Sequence, residues 1–189
     1  MAEETKKQEE PEIIEGEVVD APPDTTSAID LVTRAEIDMQ IATAHRFPRS
    51  IASVKREIMD LATIDEETAA ECFYSLPRGG KTILGPSIRM AEIALSSFGN
   101  VRAATRFLGE SEDGKFVRVL GICHDLQKNV AVAQEVTRRI TDRNGRRYND
   151  DMVATTIAAA ASLALRNASF RVVPRTLINP AFEKCKAIV

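Results

Sequence analysis

The chain predicts an α+β fold: an antiparallel β-meander packed by helices on one face and preceded by N-terminal helices. Three observations carry this. Apolar residues recur at helical spacing near the N-terminus, as Ile29, Val32, Ile37 and Ile41, and again as Ile51, Val54, Ile58 and Leu61. Three strand-like runs then follow one another (VRAATRFLGE, KFVRVLGICHDL, VAVAQEVTRRITD), separated by S-E-D-G and Q-K-N and followed by R-N-G-R. Asp113-Gly114 and Asn144-Gly145 are good hairpin turns. Last comes a long alanine-rich helical stretch, NDDMVATTIAAAASLALRNASFRVV. Its small side chains let a helix lie close against a sheet.

Residues 1–28 hold nine acidic and two basic residues, a charge of −7, with Pro11, Pro22 and Pro23 and no sustained period. They read as a disordered acidic tail. Residues 29–189 read as a single α+β domain. A first helix from Ser27 is ended by Pro48. A second covers 50–62 with Ser50 as N-cap. A short third helix fits 65–72, where D-E-E-T supplies first-turn acids. CFYSLP reads as a strand, and the glycines after it as a turn leading to a helix start near Pro86. PSIRMAEIALSSFG reads as a helix closed by Gly99. After the meander, Asn149 or Asp150 starts the alanine-rich helix, which stops before Pro174. The layout is α-α, then β-α-β-β-β-α, with no internal repeat.

At 189 residues and 44% hydrophobic composition, the chain suffices for one domain with a real core. Its longest apolar run, near 157–165, is far short of a membrane span. The acidic N-terminus lacks the apolar segment of a signal peptide. Three widely spaced cysteines, Cys72, Cys123 and Cys185, suggest buried, reduced thiols and a cytoplasmic location. Outside the tail, 23 basic and 19 acidic residues leave a body of charge +4. An acidic tail on a mildly basic body suits a protein that meets nucleic acid, and equally a tail that only confers solubility.

The stretch YSLPRGGKTILGP contains G-G-K-T, the end of a nucleotide-binding P-loop. The spacing argues against that role. The first glycine of the motif is replaced by Ser75, and Pro77 removes a backbone donor from the cradle. Thr82 is followed by Ile-Leu-Gly-Pro rather than by a helix. Arg78 and Lys81 remain candidates for phosphate contacts to a polynucleotide.

The strongest charge feature is RRITDRNGRRY. Arg138, Arg139, Arg143, Arg146 and Arg147 fall within ten residues, against one acid, Asp142. Such a tip repels itself unless an anion is near, and the planar guanidinium suits phosphate oxygens. Tyr148 offers a ring for base stacking. The alternative is a solvated hairpin tip. A second cluster, RNASFRVVPR, holds Arg166, Arg171 and Arg175 with Phe170. Cations near a helix C-terminus also favour the helix dipole, which accounts for Arg166 and Arg171 nearly as well.

Catalytic signals are poor. His45 and His124 stand alone, and no Cys/His set has zinc-ligand spacing. Asp125 and Glu135 on neighbouring strands suggest a metal nuclease, but Thr137 stands where such nucleases place a lysine. No catalytic residue, metal site or cofactor is assigned.

In order and texture the chain resembles the bacteriophage single-strand annealing proteins of the RecT, Red-beta and Erf group, distant relatives of the eukaryotic Rad recombination mediators. Helices precede the strand CFYSLPRGGK. The R-M-A-E-I-A helix ends at F-G-N, a meander with the turn FLGESEDGKF follows, and an alanine-rich helix closes on ALRNASFRVVP. The match spans roughly 50–175 and rests on pattern, with no short defining motif. It implies an ATP-independent protein of phage recombination in a bacterial cytoplasm. Such a protein binds single-stranded DNA in a groove, pairs complementary strands and assembles as a homo-oligomeric ring or filament; whether it has a partner exonuclease is left open. By position, the groove candidates are Arg138, Arg139, Arg143, Arg146, Arg147 and Tyr148, Arg166 and Arg171 on the closing helix, and Arg78 and Lys81 after the first strand. The chain departs from the pattern in its mildly basic body and in ending at CKAIV. That ending leaves two readings open, a fragment or a protein without the family's polar partner-binding segment. The alternative functions are a scaffold protein of the same fold, or an enzyme using GGKT or the Asp125/Glu135 pair.

Overall fold

In a computed structural model, residues 25–189 are described. The expected acidic tail therefore falls almost wholly outside the described residues. Helix α1, Thr25–Arg46, starts within its last four positions. The chain divides after Glu36, and the larger compact unit is Ile37–Val189.

Local signals explain most element starts. In α2 (Ile51–Ala62), Ser50 accepts the Ser53 N–H, and Val54, Ile58 and Ala62 face the core. In α3 (Glu66–Glu71), Asp65 accepts the Thr68 N–H, which holds its carboxyl below the usual carboxylate range. Ser87 caps α4 (Ile88–Phe98), and Gly99 closes it at φ 59°. Asn149 caps α5 (Asp150–Val172), whose alanine-rich face lies on the sheet.

The meander is as expected: β3 (Val101–Glu110), β4 (Phe116–Asp125) and β5 (Val130–Arg139), antiparallel in the order β3-β4-β5. Burial alternates along β4. Val117, Val119, Gly121, Cys123 and Asp125 are buried, with Val119 and Gly121 against α5, whereas the even positions are half-buried or, at Arg118, exposed on the opposite face. All three cysteines are buried and unpaired. Burial, then the neighbouring Cys185, pushes the Cys72 thiol up to about 12.

Two parts of the predicted layout are corrected. The segment after CFYSLP is a second strand. β1 (Phe73–Arg78) and β2 (Lys81–Pro86) form a hairpin of their own, joined by Gly79 and Gly80 at φ 58° and 75°. Two consecutive positive-φ residues make a type I′ turn, which Gly-Gly permits at no steric cost. After α5 the chain also forms α6 (Arg175–Ile188). Pro174 ends one helix and directly precedes the next. Leu177, Ile178, Ala181 and Cys185 of α6 join Ile58 of α2 and Met90, Ala94 and Phe98 of α4 in the helical core.

A second core lies between the sheet and α5: Val119 and Val136 meet Ala160 and Ala164. Contact is close because β4 carries Gly121 there. A Cβ at Gly121 would overlap the backbone carbonyl of Ala164. Gly121→Ala is therefore expected to cost about 1–3 kcal/mol through overpacking. Urea unfolding should show a lower midpoint at an unchanged slope, and an unchanged midpoint would mean that α5 rides higher on the sheet.

Candidate nucleic-acid interface

The five arginines of RRITDRNGRRY do not act as one cluster. β5 ends at Arg139, and a small loop follows, closed by a bridge between Thr141 and Arg147. Asp142 accepts the backbone N–H groups of Asn144 and Arg146, both at 2.8 Å, and so organises the turn. Arg147 is held by Glu110 at the end of β3 in a two-pronged pair, at 2.6 and 2.8 Å. The Arg147 hydrogen bond lowers the Glu110 pKa. The predicted self-repulsion is thus partly relieved within the chain. Arg139 pairs with Phe116 on the sheet face opposite α5 and stands 6.0 Å from its ring centroid. Arg143 and Arg146 are exposed in the turn. Tyr148 is half-buried and packs against the small core of Val117, Ile140 and Val153.

The structure brings a different set together. Arg138 lies on the α5 side of β5, two residues beyond buried Val136. It borders a hollow of ≈ 310 Å³ with Tyr74 and Arg166. Tyr74 and Arg166 also line an adjoining hollow of ≈ 400 Å³ with Gln134, Phe170, Arg171 and Arg175. Arg138 borders one hollow, Arg171 and Arg175 the other, and Arg166 with Tyr74 both; the two together are termed the concavity, and no carboxylate lines either. The Arg166 guanidinium stands 5.0 Å from the centre of the Tyr74 ring. Across the hairpin, Tyr74 pairs with Gly85, and a Cβ there would fall 2.5 Å from the Tyr74 hydroxyl oxygen. Gly85 thus lets the ring lie flat across the ribbon.

Arg78 and Lys81 lie apart from this concavity. They are cross-strand partners at the exposed hairpin tip, roughly 13 Å of strand from Tyr74. Tyr74 and Arg175 escape the candidate set drawn from sequence. The signal that leads to Tyr74 is the Gly-Gly turn, since only a hairpin pairs it with Gly85. Arg175 belongs to RNASFRVVPR, and α6 turns it toward Arg171.

The acids considered for metal chemistry are separated. Asp125 pairs with Val130 and Glu135 with Leu120, five residues apart on opposite faces of the sheet. Asp125 is bound by Arg49, with Nη1–Oδ2 and Nη2–Oδ1 both at 2.7 Å and both side chains 5% exposed. Arg49 also donates to the carbonyls of Gly99 and Asn100 at 3.1 and 3.2 Å and stacks 3.7 Å from the Phe98 ring centre. This hub ties the loop after α1 to the α4–β3 junction and the end of β4. Burial alone raises the Asp125 pKa, but the Arg49 hydrogen bonds, the Lys128 N–H, the Arg49 charge and the Gln127 N–H together bring it below the usual value.

Among the described residues no helix is long and apolar enough to cross a membrane. No family model matches the chain, and neither does any curated protein or solved structure.

Proposed function

We propose that the protein binds single-stranded DNA in the concavity of Arg138, Arg166, Arg171 and Arg175 and promotes the pairing of complementary strands without nucleotide. The observation that supports this reading is a concave surface combining four arginines with Tyr74 and Phe170 and lined by no acid. Guanidiniums bind phosphate oxygens through their planar fork, and a strand held by its backbone keeps its bases free to pair. Sequence indifference follows from that mode of contact. The resemblance to phage annealing proteins points the same way and adds assembly as a homo-oligomer. Lys81 opens strand β2 rather than preceding a helix, which favours ATP-independent action over a P-loop reading.

The test is fluorescence anisotropy of a labelled single-stranded oligonucleotide without nucleotide, over a series of salt concentrations, followed by the complementary strand. Four neutralised phosphates predict a log–log salt slope of about −3, roughly 0.7 per phosphate. Pairing should be faster than for the strands alone. Absence of binding at low salt would overturn the reading.

A further inference from the structure

Two of the three buried thiols stand together. Cys72 caps the C-terminus of α3 just before β1, and Cys185 lies in the last turn of α6. Both sulfurs approach the carbonyl oxygen of Ala62, the final residue of α2, at 4.0 and 3.2 Å respectively. That carbonyl is one of the four that a helix leaves without an internal donor. The Cys185 thiol, donating at 3.2 Å, is enough to satisfy it. Cys72 reaches the same oxygen only at the limit of a sulfur hydrogen bond, and its thiol also hydrogen-bonds that of Cys185. Both belong to the helical core, whereas Cys123 is on β4, outside that core.

Burial alone would make either residue an ordinary small hydrophobe. Two neighbouring thiols on elements far apart in the chain are a pair that one two-electron oxidation can join.

We propose that Cys72 and Cys185 close into a reversible disulfide under oxidation by a small peroxide, a staple that fastens α6 to the α3–β1 corner. The Cys185 thiolate attacks one peroxide oxygen, the O–O bond breaks and hydroxide leaves, so that Cys185 becomes a sulfenic acid. The Cys72 sulfur then attacks the Cys185 sulfur. The S–S bond forms, the S–O bond breaks, and the hydroxyl leaves as water with the Cys72 proton. Two thiols are oxidised and one peroxide is reduced to two waters. Burial raises both thiols, but the Cys72 hydrogen bond eases the ionisation of Cys185, whereas Cys72 is held at about 12. Cys185 is therefore the attacking sulfur and Cys72 the resolving one.

The bond closes a loop of about 113 residues. It also ties two walls of the concavity, because Tyr74 lies just beyond Cys72 on β1 and Arg175 opens the helix that carries Cys185. The inference stands on the thiol pair and does not require that the concavity bind DNA.

The test is hydrogen peroxide treatment of the full chain, read by intact mass, thiol titration in denaturant and thermal unfolding. The expected product is a monomer about 2 Da lighter, with Cys72 and Cys185 in one linked peptide and only Cys123 left to titrate. Its thermal midpoint should rise by roughly 5–15 °C, and dithiothreitol should reverse every change. Cys123→Ala should respond as the wild type does. Cys72→Ala, and Cys185→Ser, which keeps a donor for the Ala62 carbonyl, should each gain oxygen rather than lose hydrogen, with no rise over their own reduced forms. Three thiols surviving hours of peroxide, or a disulfide found only between chains, would overturn the inference. So would the correct linkage with a midpoint no higher than that of the reduced protein.

Discussion

Arg49→Met is expected to lower the stability of the protein by about 3–5 kcal/mol, the largest single-residue effect anticipated in the fold. The variant keeps most of the side-chain bulk over Phe98 but leaves the Asp125 carboxylate buried without its cation. It also leaves the carbonyls of Gly99 and Asn100 without a donor at the junction of the helical core and the sheet. The pH dependence separates lost charge pairing from lost packing. In the wild type the Asp125 pKa is depressed, so its stabilising contribution is full above about pH 4, near the unfolded carboxyl value, and is lost as the pH falls through the folded value. Without Arg49, burial dominates and raises that pKa. The penalty is then full at neutral pH and shrinks as the carboxyl protonates. Urea unfolding of both proteins at pH 7 and pH 4.5 should show the difference narrowing at the lower pH. A difference that is the same at both would assign the effect to packing.

Arg171→Glu combined with Arg175→Glu is expected to weaken single-stranded DNA binding by roughly a hundredfold at moderate salt and to reduce the magnitude of the salt slope by about 1.4, two phosphate contacts' worth. Both side chains are exposed at the α5–α6 junction, so the unfolding midpoint should stay close to wild type. The parallel variant, Arg143→Glu with Arg146→Glu, changes the same number of charges in the loop after β5. It should weaken binding far less, since neither residue borders the concavity. If the loop variant loses binding and the junction variant keeps it, the interface is the arginine loop and the concavity is only a cleft in the fold.

Much of the architecture is legible in local pattern. The stripe of Val54 and Ile58, the cap residues Ser50, Asp65, Ser87 and Asn149, and the Gly99 stop are local properties, and each does in the structure what its side chain favours alone. The meander is equally readable, because Asp113-Gly114 turns β3 into β4 and Gln127-Lys128-Asn129 turns β4 into β5, whereas Asn144-Gly145, which reads as a hairpin turn, lies in the loop after β5 and joins no strands of the sheet. Strand β2 is harder to read. Its Gly85-Pro86 end resembles a breaker, and its pairing with β1 depends on two successive positive-φ glycines. Helix α6 is obscured by Pro174 and Pro180, and its apolar stripe acquires a purpose only against α2 and α4.

Charge is where sequence proximity misleads most. Five arginines within ten residues read as one feature, yet a strand sends alternate side chains to opposite faces, so Arg138 and Arg139 part company at once. Arg147 finds Glu110, 37 positions away, and Asp125 finds Arg49, 76 positions away. Conversely, Tyr74, Arg138, Arg166 and Arg175 come from four separate elements, β1, β5, α5 and α6, and border adjoining hollows only once the chain is folded. By itself the sequence determined the helices with strong caps, the three-stranded meander and the α+β class, because these rest on periodicity and turn chemistry over a few neighbouring residues. Only the tertiary structure decided which arginines share a surface and which acid is sealed in the core, because those pairings depend on how distant segments are folded against one another.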